Sequence, residues 1–447
     1  MLLLATSAAQ SGTAARRITW GDVQPLHKRL SGHDLSATSF DAFIDRTSRR
    51  NAARVTEGDL DHLVFYLLQS TSFTKLPPIE PALSAKALVD SLPASERAAF
   101  LEKGQVDHSR VPAPVRERAA AFDRALDSSS KDPRLVYFRE LARTAFPKKE
   151  REGALLREYL RAMKFVYEKE FVAPKSSSPA AAIADLYRTR GLSTDTAVEA
   201  GYLVHQGLAI VKALEPSRRI TRVLIVGPGM DLAPRTALDE AGPPESYQPW
   251  AVIDALLSLK LSDVGELQVV AADINPRVVA HLERARSSPP TLTLFTQLRE
   301  SGGVTLTQDY REYFGQLGQA LAGGKQSAEV KGGHLRKTFT VGATPARALT
   351  AASLDVVTQR LTDAPFDLVI ATNILPYFDD VELMLAMSNV AAMLAPQGVF
   401  LHNEPRALIG DVGSLLGLEF EQSRVVSIAT VAGAPPLVDS VWLHRKK

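Results

Sequence analysis

Arg222-Val223-Leu224-Ile225-Val226-Gly227-Pro228-Gly229-Met230-Asp231 decides how this chain is read: an apolar, β-branched run stops abruptly at a Gly-x-Gly turn, and a helix is expected to follow. Buried parallel strands appear in sequence as short unbroken hydrophobic runs. Glycine lets the backbone turn sharply and approach a ligand that a Cβ would push away. A single Gly-x-Gly is common, so its weight depends on what stands downstream.

Downstream, short apolar runs at 267–272, 347–354, 366–371 and 398–402 alternate with helical patterns. Strands alternating with helices predict a parallel sheet with right-handed crossovers and helices on both faces. The end differs. Runs at 423–430 and 437–444 are separated only by Gly433-Ala434-Pro435-Pro436, too short for a helix, which predicts an antiparallel hairpin at one sheet edge. Upstream, residues 18–173 read as helices. Leu60, Leu63, Val64, Leu67 and Leu68 form one apolar stripe at helical spacing, and Leu155, Leu156, Tyr159, Leu160, Met163, Val166 and Tyr167 form another. Such stripes are core, and this half is given a packing role only. Ala173-Pro174-Lys175-Ser176-Ser177-Ser178-Pro179 has linker composition. The expected organisation is therefore an all-α N-terminal domain, 1–175, followed by an α/β domain, 176–447. An insertion at about 280–345 carries Gly323-Gly324-Lys325 and Lys331-Gly332-Gly333-His334-Leu335-Arg336-Lys337, and is read as a solvated basic loop.

The 447 residues are 45% hydrophobic and 23% charged, which is ordinary for a globular protein of two or three domains. Lys and Arg number 52 against 50 Asp and Glu, so a net charge of +2 provides no field for a phosphate backbone, and no nucleic-acid partner is implied. There is no cysteine, and the nine histidines include no His-x-x-x-His or His-Glu-x-x-His pair, so no metal site is expected. No segment has the roughly 18 uninterrupted apolar residues that span a bilayer. A cytoplasmic location is expected. The alternative is that residues 1–15, beginning Met1-Leu2-Leu3-Leu4-Ala5, are the remnant of an export signal, although they lack a basic leader.

In open α/β sheets ligands sit beyond the carboxyl ends of the strands. Those ends carry Gly227-Pro228-Gly229, then Ala272-Asp273-Ile274-Asn275, then Ser353-Leu354-Asp355, then Ala371-Thr372-Asn373. A carboxylate at the second end can accept hydrogen bonds from both hydroxyls of a ribose, and one at the third can hold an adenine amino group. Asp309, in Thr307-Gln308-Asp309-Tyr310, competes with Asp355 for the second role.

Ile225-Val226-Gly227-Pro228-Gly229, Ala272-Asp273-Ile274-Asn275, Phe366-Asp367-Leu368-Val369-Ile370-Ala371 and Leu394-Ala395-Pro396-Gln397-Gly398-Val399-Phe400 resemble, in that order, the successive motifs of class I S-adenosylmethionine-dependent methyltransferases. The resemblance covers about residues 180–447. It implies a Rossmann-like, seven-stranded, mostly parallel sheet with the C-terminal antiparallel hairpin. It implies S-adenosylmethionine as cofactor, contacted by Gly227, Pro228, Gly229, Asp273, Ile274, Asp355 and Asn373. Asn373 would border the sulfonium and the substrate. Asp367 is expected to anchor backbone rather than ligand. Two departures stand out: Asp231 occupies the place of a third glycine, and Gly227 and Asp273 lie more than twice the usual roughly 20 positions apart.

The implied reaction is an in-line methyl transfer to a small-molecule or protein acceptor. Alignment alone can supply roughly 7–11 kcal/mol of such a barrier. An acceptor that must lose a proton needs a base, and His402 and Glu404, just after the fifth strand, are the candidates. The rival readings are a non-catalytic cofactor- or partner-binding protein and a nicotinamide-dependent oxidoreductase.

Overall fold

The structure, a computed structural model, describes residues 14–232, 243–324, 326–363 and 365–447. The suggested export remnant (1–15) and the helix expected directly after Gly229 fall mostly outside the described residues, as does Lys325 of the insertion.

The strands are β1 (Ala15–Arg17), β2 (Arg222–Val226), β3 (Gln268–Asp273), β4 (Thr291–Phe295), β5 (Val304–Leu306), β6 (Ser327–Lys331), β7 (His334–Thr340), β8 (Leu349–Ser353), β9 (Gln359–Leu361), β10 (Phe366–Ala371), β11 (Leu394–His402), β12 (Leu418–Val431) and β13 (Ala434–Lys446). The main sheet has eight strands in the order β5-β12-β13-β11-β10-β2-β3-β8. From β11 to β8 every pairing is parallel, whereas β13, β12 and β5 join antiparallel. The chain leaves β2 toward β3 and β8 on one side and later builds β10 and β11 on the other, so the order reverses at β2, where α/β sheets hold ligands.

Several expectations need correction, beginning with the all-α N-terminal domain, since β1 lies in it and pairs antiparallel with β9. The sheet has eight strands rather than seven, and the β12–β13 hairpin is not at its edge. β5 pairs beyond it, with Leu306 opposite Ala429. Val304-Thr305-Leu306 is too short to show a period in sequence. The 280–345 insertion is also more ordered than a solvated loop: β4, β7 and β6 form a separate antiparallel sheet, and Lys337 is 1% exposed, donating to the Gly315 carbonyl at 2.6 Å.

Alternation along β2 separates two buried clusters, with Val223 and Ile225 on one face and Leu224 and Val226 on the other. The first cluster runs into the helical half through Leu63, Phe122, Leu155 and Met163, while the second takes Ile18, Leu26 and Phe40. Residues ahead of the 173–179 segment thus pack on both faces of the sheet. Asp367, at the start of β10, accepts from Thr221 N–H (2.8 Å), Arg222 N–H (2.9 Å) and the Thr221 hydroxyl (3.0 Å), so it holds backbone at the end of the sheet away from the strand tips.

Candidate active site

A cavity of about 520 Å³ opens at the tips of β2, β3, β8 and β10. Gly227, Gly229, Asp273, Ile274, Asp355 and Asn373 line it. Pro228 belongs to the same turn but turns its carbonyl to the Thr196 hydroxyl, 3.0 Å away. His402 and Glu404 are not among the lining residues.

Asp273 ends β3 and is 5% exposed. Its carboxylate accepts Asn275 N–H at 2.8 Å and Gly229 N–H at 3.2 Å, tying the tip of β3 to the glycine turn. Burial, with Asp59 adding its charge, pushes the Asp273 carboxyl up to about 6. A carboxylate has about four acceptor positions, so capacity remains for a ligand's hydroxyls. Asp273 does not cap the next helix: Asn275 does, accepting Arg277 N–H at 2.9 Å at the start of helix Pro276–Ser287. Asp355 accepts Val357 N–H at 3.0 Å and the Asn51 amide at 3.2 Å, and burial raises its carboxyl as well. Asp309 is exposed and does not line the cavity.

Asn373 adopts φ 61°, a left-handed conformation that asparagine tolerates better than most side chains. Asn403 fixes it twice, accepting Asn373 N–H at 2.9 Å and donating to its amide oxygen at 2.7 Å. His402 is fully buried and stacked on His444, with Nε2 3.1 Å from His444 Nδ1. Burial, and then His444, hold its ring well below the ordinary histidine range. Glu404 accepts Arg406 N–H at 3.2 Å, and Arg406 in turn donates to the Phe378 carbonyl (2.8 Å) and the Leu375 carbonyl (2.5 Å). Both residues therefore brace structure next to the cavity; neither reaches into it.

The helical half also forms part of the wall, against the expectation of packing alone. Helix Phe40–Gln69 runs for 30 residues over the strand tips, and Asn51, Val55, His62 and Phe65 from one of its faces line the cavity. Spacings of four, seven and three residues put them on one stripe. That stripe is offset from the leucine face that dominates the sequence pattern, which is why it was missed; two polar residues recurring on a shared helical face are the signal that would have found it.

Residues 191–197 cross between this helix and the glycine turn. Leu192 N–H donates to the Arg54 carbonyl at 2.8 Å, and a Cβ on Gly58 would lie 1.8 Å from the Leu192 carbonyl oxygen, so only glycine permits the crossing. His62 Nε2 accepts Thr194 N–H at 3.2 Å, and the Thr194 carbonyl accepts Met230 N–H at 2.7 Å. Arg54 joins three pieces of the wall by donating to the carbonyls of Arg190 (2.9 Å), Tyr187 (3.1 Å) and Tyr377 (3.1 Å). Arg54→Met, which leaves those carbonyls without their donor, is expected to destabilise the protein by about 3 kcal/mol, measurable by denaturant unfolding.

Among the described residues no group of three or more His, Cys, Asp or Glu stands where a metal could be held, and no helix is long and apolar enough to cross a membrane. No family model and no curated protein matches the chain. Among solved structures it is similar to the N-methyltransferase NodS from Bradyrhizobium japonicum in complex with S-adenosyl-L-homocysteine, at 14% identity over 54% of this chain and 85% of that one, TM-score 0.27. It is also similar to magnesium protoporphyrin IX methyltransferase from Synechocystis with bound S-adenosylmethionine, at 10% identity over 61% and 99% of the two chains, TM-score 0.30. A third is TrmN from Thermus thermophilus, at 14% identity over 54% and 48%, TM-score 0.26.

Proposed function

We propose that the chain is an S-adenosylmethionine-dependent methyltransferase whose N-terminal part, 1–175, and C-terminal part, 176–447, work as one unit around the cavity. The observation that carries this reading is the meeting of a glycine turn with two buried carboxylates, Asp273 and Asp355, at neighbouring strand tips around one cavity of about 520 Å³, a volume typical of small-molecule sites.

The residues fit the cofactor. Asp273 would take the ribose hydroxyls and Asp355 the adenine amino group. Ile274 would pack against the base, and Asn373 would lie beside the sulfonium. Asn51 Oδ1, His62 Nδ1 and Thr194 Oγ1 belong to lining residues and, although buried, have no partner among the described residues, as expected of groups that bind a ligand. When bound, S-adenosylmethionine supplies a methyl activated by positive sulfur, and this chain's residues supply its alignment. An acceptor enclosed between helix Phe40–Gln69 and the strand tips is a small molecule rather than a folded protein surface.

A second reading, non-catalytic binding in the same cavity, is favoured by one observation: His402 and Glu404 do not line it. Methyl transfer to an easily ionised acceptor needs no such base, which keeps the catalytic reading ahead. Calorimetry on the full chain separates the ligands. S-adenosylhomocysteine is expected to bind at one site and NAD not to bind; the reverse would favour the oxidoreductase reading.

The affinity should also depend on pH. The raised Asp273 carboxyl is ionised, and free to accept two hydroxyls, only above about 6. The dissociation constant for S-adenosylhomocysteine is therefore expected to be flat above pH 7 and to rise by up to about tenfold on going down to pH 5.

A further inference from the structure

The cavity extends past the strand tips into the helical half, where Phe65, Phe165, Val166 and Tyr187 line it. Two of the buried polar atoms in this wall, His62 Nδ1 and Thr194 Oγ1, have no partner among the described residues. His62 is 1% exposed, and its Nε2 accepts Thr194 N–H, so the neutral ring carries its proton on Nδ1. Burial keeps the ring neutral by pulling it down to about 4. Among the described residues its Nδ1 meets no acceptor, and neither does the hydroxyl of Thr194, itself 6% exposed. A buried donor without an acceptor is costly, so two of them beside one cavity mark a ligand's acceptor atom.

The charges named in this wall are paired with one another. Arg190 lies 3.9 Å above the Phe165 ring and pairs with Asp61 at 2.9 Å, and Arg161 pairs with the other Asp61 oxygen, also at 2.9 Å. The helical end thus offers aromatic faces and hydrogen-bond donors, and its Glu170 carboxylate already has Lys169 as counter-ion at 3.1 Å.

We propose that this end binds the methyl-accepting molecule, and that the molecule is an aromatic compound bearing a carbonyl or carboxylate oxygen, held by His62 Nδ1–H and the Thr194 hydroxyl with its ring among Phe65, Phe165 and Tyr187. The assignment rests on the methyltransferase reading only in calling this molecule the acceptor; the recognition chemistry stands on the cavity wall.

The test uses the full chain saturated with S-adenosylhomocysteine and titrated with four probes: acetophenone, benzoate, toluene and benzylamine. Acetophenone or benzoate is expected to bind at least about tenfold tighter than toluene and benzylamine, the worth of one well-made hydrogen bond, and which of the two is preferred tells a neutral carbonyl from a carboxylate. His62→Phe, held saturated with S-adenosylhomocysteine, should erase that preference, read as the ratio of oxygen-probe to toluene affinity, and His62→Gln, which keeps an amide donor, should restore part of it. Thr194→Val reads the same loss should His62→Phe not fold. Toluene binding as tightly as the two oxygen probes, no binding by any probe, or an unaltered preference in the variants would overturn the proposal. If the oxygen probes bind but S-adenosylhomocysteine does not, the cofactor reading falls and the recognition chemistry stands.

Discussion

Replacing Asp273 by alanine is expected to weaken S-adenosylhomocysteine binding by at least about a hundredfold, since two charge-assisted hydrogen bonds to ribose hydroxyls are worth about 1.5 kcal/mol each. The same change strands Gly229 N–H and Asn275 N–H, which donate to this carboxylate. It should therefore also reduce stability by about 2–4 kcal/mol, within the roughly 5–15 kcal/mol of a typical domain, leaving the chain folded. Calorimetry alongside denaturant unfolding separates the two effects. Unchanged affinity in a folded variant would remove Asp273 from the site.

Gly229→Ala should have an effect of similar size by another route. Gly229 sits at φ +67°, which costs a residue with a Cβ about 1 kcal/mol, and that Cβ would lie 2.1 Å from the Thr194 carbonyl oxygen. Backbone meets backbone there, so residues 191–197 must move. With them go the Met230–Thr194 bond and the Thr194–His62 bond that set the cavity wall. Loss of about 3 kcal/mol of stability and of S-adenosylhomocysteine binding is expected. Gly265→Ala, whose Cβ would meet nothing within 4 Å, serves as the control and should stay within about 0.5 kcal/mol of the parent.

The two predictions also show what could be read from sequence. The tips of β2, β3 and β10 were legible because each is a short, mostly apolar run that stops at a residue unlike it, Gly227 after β2, Asp273 at the end of β3 and Thr372-Asn373 after β10, and strands buried on both faces have few other ways to be written. Asp273 and Asp355 could be named because they follow such runs directly. Their partners could not. Asn51 reaches Asp355 across 304 positions of sequence and His62 reaches Thr194 across 132, and no local period records a contact of that range. Pairing of β5 with β12 was hidden for the same reason. His402 and Glu404 were drawn into the site by standing at a strand end. In the folded chain His402 turns toward β13 instead, where His444 stacks on it, and Glu404 turns to Arg406. A strand tip supplies a ligand site only through the residues whose side chains fall on the crevice side, and the alternation at a strand's last residue is easily misjudged by one position.

The claim on which the rest depends is that adenosine lies across the tips of β3 and β8. A crystal structure of the full chain with S-adenosylhomocysteine tests it most directly. The account predicts ribose hydroxyls within hydrogen-bond distance of the Asp273 carboxylate and the adenine amino group beside Asp355 and Asn51. A ligand bound elsewhere, or one in this cavity with its adenosine turned away from Asp273, would contradict it.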